Sequence, residues 1–172
     1  LSDLKILVTR DIPEIGLDML RQKGCELRVQ SSDNPFSKAE FEIASQWADV
    51  LLCSSKEKIS EIFLNANPQL IMISQYSAGY DNVDVQACNE RSLPVGHTPQ
   101  AMNKATSDIA FGLMISVARN FFFMHKKLEA GEIEGFRPRA NLGQEPYGKT
   151  LGVFGLGAIG FEMARKCKAA YG

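Results

Sequence analysis

Apolar residues enter this chain in short bursts separated by stretches of helical spacing. Residues 4–9 (Leu-Lys-Ile-Leu-Val-Thr) form a run suited to a buried parallel strand. Pro13 then opens a helical pattern carried by Ile15, Leu17, Met19 and Leu20, which Gly24 closes. Residues 25–30 alternate like a strand nearer an edge, and 37–47 predict a helix with Phe41, Ile43, Ala44 and Trp47 among its apolar positions. The same alternation continues with a strand over 49–53, a helix over 59–65, a strand over 70–73, a helix over 83–91 and a short strand over 93–95.

Five strands alternating with helices predict an open parallel sheet covered on both faces, an α/β arrangement of flavodoxin-like type with right-handed crossovers. From about residue 101 to 129 the pattern changes to a long helical stretch, with a possible break at Arg119 and Asn120. Ile109, Leu113 and Val117 share one face while Phe111, Met114 and Ile115 fill most of the rest, so the helix is expected to be covered on several sides, at a domain or subunit interface. Residues 131–147 carry glycine, proline and asparagine at intervals and read as a loop. A further strand is expected over 151–154, followed by a helix marked by Ile159, Met163, Cys167 and Ala170.

Between that strand and helix stand Gly155, Gly157 and Gly160, spaced Gly-x-Gly-x-x-Gly. In a strand-turn-helix context the first glycine permits a tight turn, the second lets backbone approach a pyrophosphate, and the third lets helix pack on strand. Free amides at the helix start, here those of Ala158 and Ile159, then meet the phosphates. A tight structural turn without nucleotide is the alternative.

Composition narrows the function classes. Lys and Arg number 19 against 20 Asp and Glu, so no net field draws in nucleic acid or an anionic membrane. The four cysteines, Cys25, Cys53, Cys88 and Cys167, include no Cys-x-x-Cys pair, and His97 and His125 do not fall at zinc-ligand spacing from them, so no metal site is expected. The apolar run at residues 1–10 is too short for an export signal, which makes the cytoplasm the expected compartment. The stretch 109–124 contains Arg119 and Asn120 and falls short of a membrane span.

Residues 75–84 read Gln-Tyr-Ser-Ala-Gly-Tyr-Asp-Asn-Val-Asp, 94–99 read Pro-Val-Gly-His-Thr-Pro, and 105–110 read Ala-Thr-Ser-Asp-Ile-Ala. Together with the glycine triplet, these motifs resemble the D-isomer-specific 2-hydroxyacid dehydrogenases, most closely the glyoxylate/hydroxypyruvate reductase branch. The resemblance runs over essentially the whole chain. It implies a flavodoxin-like substrate domain over residues 1–99, and over 100–172 the long helix and first βα unit of an incomplete Rossmann dinucleotide-binding domain, with catalysis in the cleft between them. The family's catalytic Arg, Glu and His would lie past residue 172, so no catalytic residue is assigned within the chain.

The same resemblance matches the backbone amides of Ala78 and Gly79 to contacts with the substrate carboxylate. The alternative is a strand-ending turn in which Gly79 supplies positive φ. Ser55 falls near a position that lines the substrate site, or caps the next helix. Thr106 matches a threonine on the nicotinamide and phosphate side of the cofactor, with a helix N-cap as the alternative. The family commonly continues Thr-Ala-Asp/Glu where this chain has Thr106, Ser107 and Asp108, and relatives often carry Arg where Ala158 stands. His97 falls where the family often has Asn and reads as structural; His125 reads as a solvated helix position and Arg119 as an interface ion-pair partner.

These readings lead to an oxidoreductase that moves a hydride between NAD(P)H and a small 2-oxo or 2-hydroxy acid such as glyoxylate or hydroxypyruvate. The acidic residue that selects the ribose falls about 20 positions after the triplet, beyond Gly172, so NAD and NADP both remain open. The 172-residue chain by itself is expected to be inactive and to self-associate, as a homo-oligomer, through residues 101–129 or through 150–172. The alternative is a nucleotide-sensing, corepressor-type protein on the same scaffold.

Overall fold

The computed structural model describes residues 3–30, 33–133, 135 and 137–172. Two compact units, Leu1–Pro99 and Gln100–Gly172, divide the chain. The predicted loop over 131–147 includes two positions, 134 and 136, that lie outside the described residues.

The first unit contains β1 (Lys5–Val8), α1 (Glu14–Gln22), β2 (Glu26–Val29), α2 (Lys38–Ser45), β3 (Val50–Cys53), α3 (Glu61–Ala66), β4 (Met72–Gln75), α4 (Val85–Glu90) and β5 (Val95–Gly96). All strand pairs are parallel, in the order β2-β1-β3-β4-β5, which is the expected flavodoxin-like sheet. Alternation along the strands sends side chains to two faces. Ile6, Val8 and Val50 pack with Leu17 on one, while Leu7, Leu51, Cys53 and Ile73 pack with Phe41, Phe63, Leu64 and Cys88 on the other. Phe41 and Phe63 stack at 4.9 Å between centroids and tie α2 to α3.

Helix starts are set by side-chain oxygens that satisfy otherwise orphaned amides. Ser37 and Glu40 form a reciprocal capping box at α2. Ser60 accepts from Phe63 at α3, and Asp84 from Ala87 at α4. Two predicted helices therefore begin later than expected. Ile59 and Val83, read as first helical residues, instead pair with each other in a parallel bridge, with Ile59 N–H donating to Asn82 O at 2.9 Å and Asp84 N–H to Ile59 O at 2.8 Å. The fourth strand is displaced in the same way: it runs to Gln75 because Cys53 pairs with Gln75, although the apolar run stops at Ile73.

The second unit contains α5 (Asn103–Ala118), α6 (Phe121–Glu129) and α7 (Ala158–Tyr171). The long helical stretch is broken at Asn120, whose φ of 57° is left-handed, and the two halves bend by 64°. Asn120 Nδ2 donates to Leu142 O at 2.9 Å, and Gln144 N–H donates to Ala118 O at 2.6 Å, so a returning loop satisfies the end of α5. Arg119 pairs with Glu145 at 3.8 Å within the chain, and His125 with Glu129 at 3.4 Å along α6. Among the described residues no single helix is long and apolar enough to cross a membrane.

Two expectations for this unit are corrected. Residues 151–154 form no strand, because a strand needs a ladder partner and no other strand lies in this unit among the described residues. Nor is α5 covered on several sides: Ser107 is its one buried residue among those described, and Ile109, Leu113 and Val117 are exposed. The helix is covered mainly by α7, where Lys166 Nζ donates to Ser107 Oγ at 2.6 Å and Lys104 O at 3.0 Å and pairs with Asp108.

The buried Cys53 couples this fold to pH. Burial first, and the charge of Glu57 second, push its thiol from the ordinary 9.0 up to about 12. Across that window the unfolded chain releases a proton that the folded chain keeps, so stability is complete below it and falls as pH rises through it. Chemical denaturation from pH 9.0 to about 12 should therefore show a shallower decline for Cys53→Ala than for the wild type. Equal slopes would contradict this assignment.

Candidate functional site

At the carboxyl edge of the sheet, the segments after β3 and β4 lie side by side because Cys53 pairs with Gln75. Asn82 Nδ2 joins them, donating to Ser54 O at 3.3 Å and Glu57 O at 2.7 Å. Ser54 Oγ accepts from Arg10 Nε at 3.1 Å and donates to Glu57 Oε2 at 2.9 Å, while Arg10 and Glu57 pair at 3.7 Å. Ser54 is thus committed to this network. Its neighbour Ser55 is exposed, and the cap of the following helix is Ser60, which removes capping as the explanation of Ser55.

The loop after β4 presents Ala78 and Gly79 to solvent, and neither N–H has an acceptor among the described residues. The loop is held from outside those amides. Ser77 Oγ donates to Gly79 O at 2.6 Å, and Thr98 N–H donates to Ser77 O at 3.0 Å. His97 Nδ1 lies 3.0 Å from Ala78 O, and its ring meets Tyr80 edge-on at 4.9 Å. His97 and Tyr80 are loop supports that spacing alone did not reveal; the signal was tertiary, since β5 beside β4 brings residues 97 and 78 together. Gly79 does not have positive φ, and an added Cβ would meet nothing nearer than Asp81 Oδ2 at 3.8 Å. The positive-φ explanation of this glycine therefore falls, and close packing does not replace it.

The three glycines of the second unit behave differently from one another. Gly155 has φ +95°, a conformation that side chains strain. Gly157 is the N-cap of α7 at φ −80°, and a Cβ there would enter open space. A Cβ on Gly160 would stand 2.1 Å from Gly155 O, so this glycine lets helix and turn touch. Phe161 N–H donates to Gly157 O at 2.8 Å, which leaves the Ala158, Ile159 and Gly160 amides at the helix start without acceptors among the described residues. The helix start has no side-chain cap and no acidic residue in its first turn, so its partial positive charge is not offset there.

Thr106 lies inside α5 rather than at its cap: its N–H donates to Met102 O at 2.8 Å, and Met102 holds the N-cap position. Thr106 is exposed, whereas its neighbour Ser107 is buried and meets Lys166 of α7. Lys166 follows Ala158 by eight residues, roughly 12 Å of helix rise. The chain thus brings Gly155, Gly157, Ala158, Ile159 and Gly160 into one turn, while no hydrogen bond joins Thr106 to it among the described residues. An apolar cavity of about 440 Å³ lined by Met114, Leu151, Val153, Cys167 and Tyr171 lies toward the opposite end of α7. No cluster of His, Cys, Asp and Glu among the described residues is arranged to hold a metal ion.

Gly160→Ala should destabilise the second unit by about 1–3 kcal/mol, since the methyl forces turn and helix apart. Gly157→Ala should leave the thermal unfolding midpoint nearly unchanged. Equal losses in the two variants would refute the distinct roles of these glycines.

The family model described as D-isomer specific 2-hydroxyacid dehydrogenase, catalytic domain, matches residues 6–170. A glyoxylate reductase of Pyrococcus horikoshii is 33% identical over 169 residues, covering 95% of this chain and 50% of that protein. A crystal structure of a Thermus thermophilus protein aligns with TM-score 0.91 at 32% identity over 96% of this chain and 53% of that one. An NAD+-bound 3-phosphoglycerate dehydrogenase of Entamoeba histolytica aligns with TM-score 0.72 at 25% identity over 99% of this chain and 52% of that one. The chain spans about half the length of the curated relatives it matches.

Proposed function

The chain belongs to the D-isomer-specific 2-hydroxyacid dehydrogenase family, and on that premise we propose that it supplies the substrate-carboxylate loop and the pyrophosphate turn of an oxidoreductase. The substrate is a small 2-oxo acid, glyoxylate or hydroxypyruvate. The observation that carries this reading is the division of labour among Gly155, Gly157 and Gly160, of which Gly157 alone has no conformational or packing reason among the described residues. Bringing a phosphate against the backbone supplies that reason.

In this reading the amides of Ala158, Ile159 and Gly160 hold the pyrophosphate of NAD or NADP, with the helix dipole favouring its charge. Thr106 approaches the nicotinamide and phosphate side from α5. The dinucleotide, when bound, supplies or accepts the hydride. Residues 1–99 act as the substrate domain and 100–172 as the start of the dinucleotide-binding domain. The substrate carboxylate accepts hydrogen bonds from the Ala78 and Gly79 amides, held outward by His97 and Ser77, and Ser55 lines the same edge. Gly79 has no Cβ to obstruct the approaching carboxylate. The buried thiols of Cys53, Cys88 and Cys167 are consistent with the cytoplasm as the working compartment.

Amide-resolved NMR titration of the chain tests both halves of the reading. Glyoxylate should shift the Ala78 and Gly79 resonances, and NADH should shift those of Ala158 to Gly160. Gly157→Val should abolish the second response and leave the first. Shifts that avoid both segments, or a dinucleotide response insensitive to Gly157→Val, would defeat the reading.

A second copy of the chain is the proposed cover for residues 101–129, where Ile109, Leu113 and Val117 on α5 and Phe121, Phe122 and Phe123 on α6 are exposed. Sedimentation equilibrium should show concentration-dependent self-association that Leu113→Glu weakens. A monomer at every concentration would exclude it.

A further inference from the structure

Beneath the loop that carries Ala78 and Gly79, the face of the sheet packed against α2 to α4 ends in polar rather than apolar side chains. Val8 pairs with Leu52 and Cys53 with Gln75, so Thr9, Cys53 and Gln75 stand abreast across β1, β3 and β4. By alternation they share the face of Leu7, Leu51 and Ile73. Each is about as buried as those residues, at 1% exposure. Yet Thr9 Oγ1 and both Gln75 Oε1 and Nε2 make no hydrogen bond among the described residues.

A fourth atom belongs with these. Asn82 Nδ2 is held by Ser54 O and Glu57 O, on the segment that directly follows Cys53, which places Asn82 over the end of β3. Its Oδ1 is buried and has no partner among the described residues. Of the adjoining charged groups, the Glu57 carboxylate accepts from Ser54 N–H and Ser54 Oγ–H and pairs with Arg10, and Arg10 donates to Ser54 Oγ.

Buried polar atoms without protein partners are, as a rule, satisfied by ordered water that makes about three hydrogen bonds. The set here provides a donor in Gln75 Nε2, acceptors in Gln75 Oε1 and Asn82 Oδ1, and both functions in the Thr9 hydroxyl. It is uncharged, which fits neither a metal ion nor an anion. It matches a molecule that donates and accepts equally. We infer that Thr9, Gln75 and Asn82 form an internal hydration site over Cys53, holding at least one long-lived water at the root of the 76–80 loop. Tyr76 N–H donates to Cys53 O at 2.7 Å, so the loop departs from the sheet at this site. The inference stands apart from the carboxylate assignment, since it concerns only groups beneath the loop.

A high-resolution crystal structure of the chain should show water density within hydrogen-bond distance of the Gln75 amide and of Thr9 Oγ1 or Asn82 Oδ1. Water-oxygen magnetic relaxation dispersion should count at least one fewer long-lived internal water in Gln75→Leu than in the wild type. If that variant does not fold, Thr9→Val gives the same comparison. The inference is overturned if the Gln75 amide bonds directly to protein with no density beside it, or if folded variant and wild type hold the same number of long-lived waters.

Discussion

Every backbone amide and carbonyl taken from water needs a partner, and this requirement organises the molecule more strongly than the placement of its apolar residues. In the first unit the five parallel strands answer it for one another. The Cys53 to Gln75 pairing extends the ladder beyond the apolar run and so fixes where the loop containing Ala78 and Gly79 begins. In the second unit the same requirement works by default. Residues 151–154 have strand-like composition but no neighbouring strand in this unit among the described residues, and they remain irregular. The Ala158, Ile159 and Gly160 amides at the start of α7 likewise have no protein acceptor among the described residues.

The two units differ in how completely they bury their apolar surface. In the sheet unit the helices cover both faces, and Leu7, Leu51, Ile59, Leu64 and Ile73 are almost wholly withdrawn from water. In the helical unit Ile109, Val117, Phe154 and Leu156 are exposed, with Phe154 fully so. The contrast agrees with a chain that spans about half the length of its curated relatives.

The fold class was legible because short apolar runs alternated with helical spacing in β-α order. The glycine turn was legible in its steric part, since Gly155 takes the positive φ of the tight turn and Gly160 the close approach of helix to turn, while a Cβ on Gly157 would meet nothing. Less legible were the edges of elements. Ile59 and Val83 continue a helical pattern in sequence, yet they pair with each other in an isolated parallel bridge, which no local spacing announces. Gln75 extends a strand past the last apolar residue, and its burial runs against its polarity. Local caps misled in a similar way: Ser60 takes the role considered for Ser55, and Met102 that considered for Thr106.

The amino-acid sequence by itself determined the β-α alternation, the break at Asn120 and the tight turn at Gly155, because each follows from the periodicity or backbone freedom of a few neighbouring residues. Tertiary structure alone decided that His97 supports the Ala78 carbonyl, that Gly79 needs no unusual φ, and that Thr9 and Gln75 lie abreast beneath the loop. These depend on which strands become neighbours and in what register. Residues 66 positions apart, such as Thr9 and Gln75, share an environment only after the sheet has assembled.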